Sequence, residues 1–255
     1  MDLSLLTVPT IVAFLLVLIR ISGMLVTAPI LSQRSIPAQA KIGLAFTVSL
    51  ILFPLHASHL VIPTDLIQFA VIAGQELILG LMLGFVATLV FTSLQMAGEY
   101  ISMQMGLSIS SVLDPVSGTQ VPALGQLYFY MAVLLFLSLN IHHALILGVE
   151  KSFSKIPVGE FVTSGGVMAE RFITLTGDMF TLALMIALPV MGILLVTEVC
   201  LGFMAKVMPQ MNIFMVGLPM KVGVGLVIFG VSLPYVANLM GKEYSKLVQH
   251  LYGLY

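Results

Sequence analysis

Residues 66–98 carry a single charge, Glu76, and no proline. A helix needs about 20 apolar residues to cross roughly 30 Å of hydrocarbon, so this stretch alone exceeds one membrane span. A membrane β-strand would need alternating polarity over about ten residues, yet 77–90 is interrupted only by small residues. Five further apolar segments, at 3–31, 42–62, 123–149, 168–205 and 213–240, repeat the pattern. Only 8% of the chain is charged and 59% is hydrophobic, against about 25% charged in soluble domains. The expected fold class is therefore all-α and integral to a membrane, with about six apolar segments.

Pro29, Pro54, Pro189, Pro219 and Pro234 lie in or at the ends of these runs. Each removes a backbone donor, so kinked helices and hairpins are expected rather than straight rods. No fixed-period repeat or low-complexity linker divides residues 1–255, which read as one domain. Asp2 stands where a signal peptide would be basic, and the uncharged run Leu3–Ile19 before Arg20 is long, so the start reads as a retained helix.

The ten Lys and Arg are scattered and the net charge is −1, which argues against nucleic-acid binding. Across six spans, one side would carry Arg34, Lys41 and Lys206, and the other Lys151, Lys155, Lys242 and Lys246. That balance gives no positive-inside signal. Either the spans are not six, or the protein is not held as a standard multi-pass bundle.

Five ionisable residues interrupt or flank the apolar stretches: Arg20, Glu76, Glu99, Glu198 and Lys221. A charge at the bilayer centre costs about 2.5–3.5 kcal/mol on insertion scales. Structural pairing, within the chain or with neighbouring subunits, is the plain reading; a proton or ion pathway is the functional one. Glu76, Gly80, Gly84, Thr88, Thr92 and Met96 recur every four residues and form one narrow helix face. Small residues at that spacing let another helix approach closely. Gly217, Lys221 and Gly225 repeat the device near the C-terminus. Two such faces suit a protein embedded in an assembly.

Residues 106–122 are rich in Ser, Gly, Pro and Thr, with one charge at Asp114, between two strongly apolar segments. Asp-Pro and Ser-Gly are turn formers, so this stretch is not a regular helix throughout. It is either a solvated surface loop or irregular backbone lining a cavity, the setting in which non-helical chain survives at membrane depth. Met96, Met103 and Met105 approach it. Their flexible thioethers suit a seal around a moving chain, or plain core and lipid-facing filler.

No enzyme signature is present. His142-His143 has no acidic residue at ligand spacing, and His-Glu-x-x-His, Gly-x-Ser-x-Gly and the phosphate-binding Gly-x-x-x-x-Gly-Lys-Ser/Thr are missing. No metal or cofactor is expected. The single Cys200, in an apolar run, reads as a small buried hydrophobe.

Three stretches resemble a known family. The first runs from Arg20-Ile-Ser-Gly23 through Ala28-Pro29 and Ile36-Pro37 to Lys41-Ile-Gly-Leu-Ala45. The second runs from Gln95-Met-Ala-Gly98-Glu99 through Gln104-Met-Gly106-Leu107-Ser108 and Asp114-Pro115-Val-Ser-Gly118 to Leu135-Phe-Leu137 and Asn140-x-His142-His143. The third is Pro209-Gln-Met-Asn212-Ile-Phe214 followed by Gly217-Leu-Pro219-Met-Lys221-Val-Gly223. In this order and spacing the chain resembles the FliR family of the bacterial type III export gate, whose injectisome relatives serve virulence secretion.

The resemblance implies a non-enzymatic subunit of kinked helical hairpins packed in a multi-subunit helical assembly around a pore. Its implied partners are FliP, FliQ, FlhB and FlhA, besides membrane lipid and unfolded export substrates. The implied location is the bacterial inner membrane, at the flagellar basal body. It also implies a plug in the 106–121 loop: Gly106, Leu107, Ser108, Ser110, Ser111, Asp114, Pro115, Ser117 and Gly118. Met96, Met103 and Met105 are the candidate seal. Arg20, Glu76, Gly80, Gly84, Glu99, Pro219 and Lys221 are candidates for polar packing and assembly. The alternatives are a stand-alone secondary transporter or ion channel using the intramembrane charges, and a purely structural assembly factor.

Overall fold

The structure is a computed structural model. It describes residues 8–33, 35–56, 63, 65–107, 123–159, 161–210 and 212–253, the side chains of 8, 56, 161–169, 213–214 and 249–253 excepted. The described residues form seven helices and no strand: α1 (Val8–Thr27), α2 (Ala38–His56), α3 (Leu66–Met105), α4 (Ala123–Ser138), α5 (Ile141–Lys155), α6 (Phe161–Val207) and α7 (Ile213–Gly253).

The protein is all-α and integral to a membrane. Five helices contain stretches long and apolar enough to cross a bilayer: Pro9–Thr27, Ala38–Leu55, Leu66–Met105, Glu170–Val207 and Met215–Val248. Taken together, α4 and α5 supply a sixth. That count agrees with the six apolar segments of the sequence. The 40 residues of α3 make a rod of about 60 Å at 1.5 Å per residue, about twice the hydrocarbon thickness.

One segment is divided where no proline stands. The run 123–149 breaks at Leu139-Asn140, and Asn140 adopts a left-handed conformation with φ 54°. Asparagine tolerates this region better than most residues. The His143 N–H then bonds the Asn140 carbonyl at 3.1 Å. Pro54, Pro189, Pro219 and Pro234 instead lie inside assigned helices, while Pro29 falls in the turn after α1.

The chain divides into two compact units. The first comprises 1–89, 140–176 and 244–255, and the second 90–139 and 177–243. In the first, α1 buries Ala13, Val17, Arg20, Ile21 and Met24 at helical spacing, and Ala28 just after the helix is buried too. Phe14 meets Phe46 and Phe53 of α2 edge-on at 5.5 and 5.8 Å. In the second, α6 buries Ala183, Ala187, Val190, Leu194 and Leu201, and α7 buries Phe229, Val236 and Met240. Tyr128 of α4 sits 4.9 Å from the Phe229 ring, and Phe91 of α3 packs edge-on against Phe136 at 5.4 Å.

The faces left outward are apolar too. On α6, Leu188, Val196 and Phe203 are exposed, the surface chemistry of a protein covered by lipid or by other subunits. Cys200 lies on this α6 and is exposed, which corrects its reading as a buried hydrophobe. Hydrophobic character does not imply burial in a chain whose outer surface is itself apolar.

Candidate functional site

Two polar centres interrupt the apolar packing, one in each unit. In the first unit the four-residue face of α3 docks on α1. A Cβ on Gly80 would strike the backbone of Arg20, and one on Gly84 would strike Thr27 and the Met24 carbonyl. From the other side, a Cβ on Gly23 would stand 2.9 Å from the Leu77 carbonyl oxygen. Hydroxyls stitch the contact: Thr27 Oγ1 donates to the Leu81 carbonyl at 2.9 Å, and Thr88 Oγ1 donates to the Thr27 carbonyl. The neighbour of this face thus belongs to the same chain. Gly80 and Gly84 serve the fold of the first unit directly.

Glu76 and Arg20 close the same interface. Arg20 Nε donates to Glu76 Oε2, and neither side chain is exposed to any degree. Arg20 Nη1 donates to Ser152 Oγ and Nη2 to the Ile156 carbonyl, each at 3.1 Å. The Phe153 ring lies 4.0 Å from the guanidinium carbon, within cation–π range. The Gly159 N–H completes the carboxylate at 3.3 Å from Oε1. A planar, five-donor guanidinium can satisfy several elements at once. Here it ties α1, α3, α5 and the turn after α5 together.

The second centre is half-open. Lys221 Nζ of α7 donates to Glu198 Oε1 of α6 at 2.7 Å. Gln104 Nε2, in the last turn of α3, donates to Glu198 Oε2 at 3.2 Å. Beside it, Met105 is fully buried, and its side chain fills the space a Cβ on Gly225 would occupy, with Cγ at 2.7 Å. Gly106 (φ 82°) then ends α3. Its N–H bonds the Met103 carbonyl and the Leu107 N–H bonds the Ser102 carbonyl, each at 3.0 Å, in the manner of a glycine C-cap. Eight residues before Gly106, α3 and α4 touch through Gly98 and Gly125.

The residues singled out in the sequence fall into distinct places. Arg20, Glu76, Gly80 and Gly84 come together in the first unit. Lys221 joins the second centre, and Pro219 is exposed on the same helix. Glu99 is exposed, and no described residue pairs with its carboxylate. The methionines are not equivalent: Met103 is exposed, Met96 half-buried and Met105 buried. Gly106 and exposed Leu107 form the stem of the plug candidate. Ser108, Ser110, Ser111, Asp114, Pro115, Ser117 and Gly118 lie outside the described residues. Gln104, Ser152, Phe153 and the Gly98–Gly125 pair were not singled out; Gln104 and Gly98 do lie within the motif 95–108. His142 and His143 place their rings 4.2 Å apart, and no group of three potential metal ligands occurs among the described residues.

Residues 11–247 match the model of "Bacterial export proteins, family 1". The chain belongs to the FliR family of bacterial export proteins. It is 35% identical to the flagellar biosynthetic protein FliR of Bacillus subtilis (strain 168) over 244 residues, covering 95% of this chain and 94% of that protein. Its identity to FliR of Escherichia coli (strain K12) is 34% over 233 residues, or 90% and 87% of the two chains. FliR of Aquifex aeolicus (strain VF5) is 32% identical over 234 residues, 92% and 90% of the two. The match takes in the residues of both polar centres.

Proposed function

We propose that this protein is a non-enzymatic subunit of the flagellar type III protein export gate, helping to form and close a pore for unfolded export substrates. The observation that carries this reading is the match to flagellar FliR proteins over almost the full length of the chain. In the proposal, FliP, FliQ, FlhB and FlhA cover the outward apolar faces of α2, α6 and α7, and the assembly sits in the bacterial inner membrane at the flagellar basal body. Residues 1–255 act as one gate subunit.

Within that gate, residues 106–121 obstruct the resting channel. A small-residue loop blocks ions yet moves aside for an unfolded chain. The fixed end of α3 supports this: a loop must leave from a firm stem to return to the same place. In this reading Met103, exposed one turn before the stem, and half-buried Met96 form the seal around a passing chain. Met105 packs inward and holds the stem instead.

A stand-alone transporter would need its intramembrane charges free to exchange protons or ions. Arg20 and Glu76 are sealed from solvent and satisfied by each other and by four further groups, and Glu198, though half exposed, is held by Lys221 and Gln104, which favours the gate. The deciding experiment removes residues 110–114 from the chain in cells that make all the gate subunits. Small-solute leak should rise while the subunits still co-purify at one native mass. Unchanged permeability in an assembled gate removes the plug.

A further inference from the structure

The second polar centre is built more elaborately than packing requires. Glu198 and Lys221 both lie in apolar candidate spans. Their side chains are 54% and 19% exposed, and a surface ion pair alone holds little. What the pair does is orient a carboxylate. With Oε1 held by Lys221, Oε2 is left facing Gln104. Gln104 stands one residue before Met105 and two before the helix-ending Gly106. On α7, Lys221 and Gly225 are one turn apart and therefore share a face. Lys221 reaches α3 through Glu198, and Gly225 receives Met105 directly.

We infer that Lys221, Glu198 and Gln104 are positioning residues that fix the last turn of α3 on α6 and α7, and so set where the 106–121 stretch leaves the helix. Three independent constraints meet within three consecutive residues. Gln104 gives a directional bond, Met105 a close fit against Gly225 on the facing helix, and Gly106 the cap that stops the helix. An apolar contact alone would let α3 rotate or slide by a fraction of a turn. The hydrogen bond to a carboxylate that is itself aimed by Lys221 removes that freedom. The inference rests on the gate reading for its consequence, and on the stem geometry for its content.

The test uses the assembled complex in lipid nanodiscs and reads hydrogen exchange of the Gly106 and Leu107 amides, whose cap bonds report the stem. Gln104→Leu and Glu198→Leu should each speed exchange there by about tenfold or more, with the amides around Gly80 unchanged. The swap Gln104→Glu with Glu198→Gln keeps every hydrogen bond, with the central one reversed in direction, and should restore protection. In cells, the single variants should leak small solutes and the swap should not. If Glu198→Leu fails to assemble, Gln104→Leu decides alone, since it removes no charge. Wild-type exchange in Gln104→Leu overturns the inference, and it does so whether or not the deletion of 110–114 leaks. Faster exchange without any leak from that deletion supports the stem site and removes the plug.

Discussion

Gly98 of α3 and Gly125 of α4 touch backbone to backbone, so closely that a Cβ on Gly98 would stand 2.5 Å from both N and Cα of Gly125. The converse is milder: a Cβ on Gly125 would meet the Gln95 carbonyl at 3.2 Å and Glu99 Cγ at 3.7 Å. A methyl at 98 therefore forces two backbones apart, whereas a methyl at 125 asks only for a small adjustment. Overpacking of this kind costs about 1–3 kcal/mol. Gly98→Ala should lower the thermal midpoint of the purified protein clearly, and Gly125→Ala much less. Equal effects would mean that the crossing is not where the structure puts it.

The buried pair in the first unit makes a sharper demand. Removing one member of a buried ion pair leaves an uncompensated charge and costs about 3–5 kcal/mol, while replacing both with apolar residues of similar volume is often neutral or better. Arg20→Met and Glu76→Leu should each cut the amount of folded protein in the membrane severely. The double variant should recover most of it, although Ser152 and the Ile156 carbonyl lose their donor. A double variant no better than the singles would show that Arg20 matters through those other partners.

Two glycines on α3 separate packing from helix propensity. Gly74 has open space where a Cβ would go, whereas Gly80 has the Arg20 backbone there. Alanine is about 1 kcal/mol better than glycine inside a helix, so Gly74→Ala should leave the midpoint unchanged or raise it. Gly80→Ala should lower it by driving α1 off α3. Were both substitutions harmless by thermal unfolding, the close α1–α3 approach would be wrong.

Much of this was legible in the chain itself, for a physical reason. Apolar length needs no partner to be recognised, so the membrane class and the number of segments long enough to span follow directly. The spacing of Glu76, Gly80, Gly84 and Thr88 likewise announced a close helix contact. Spacing within one helix cannot name the helix across from it, and here that neighbour is α1, more than fifty residues away. The cost of burying Arg20 or Glu76 is visible one residue at a time, but their pairing is a tertiary fact. Gln104 escaped notice because an uncharged amide among methionines gives no signal until a carboxylate is found beside it. The break at Asn140 is silent in the sequence for another reason: proline breaks a helix by its covalent ring, whereas asparagine ends one here by adopting left-handed backbone. Of the loop candidate, only the stem at Gly106 and Leu107 can be compared with the structure.

Cys200 offers a direct reading of the outward face of α6. It is the single cysteine in the sequence, and it is exposed beside Val196, Val199 and Phe203. A maleimide that partitions into detergent micelles and bilayers reaches a thiol facing lipid, but not one covered by another subunit, since thiol reactivity follows access. The isolated chain in detergent should therefore label readily. In the assembled gate, labelling should fall several-fold if a partner helix lies on this face, and the loss should be reversed by dissociating the subunits. Lipid exposure predicts the opposite pattern, with equal labelling in both states. The comparison reads which neighbour covers the face, without any substitution that disturbs the fold.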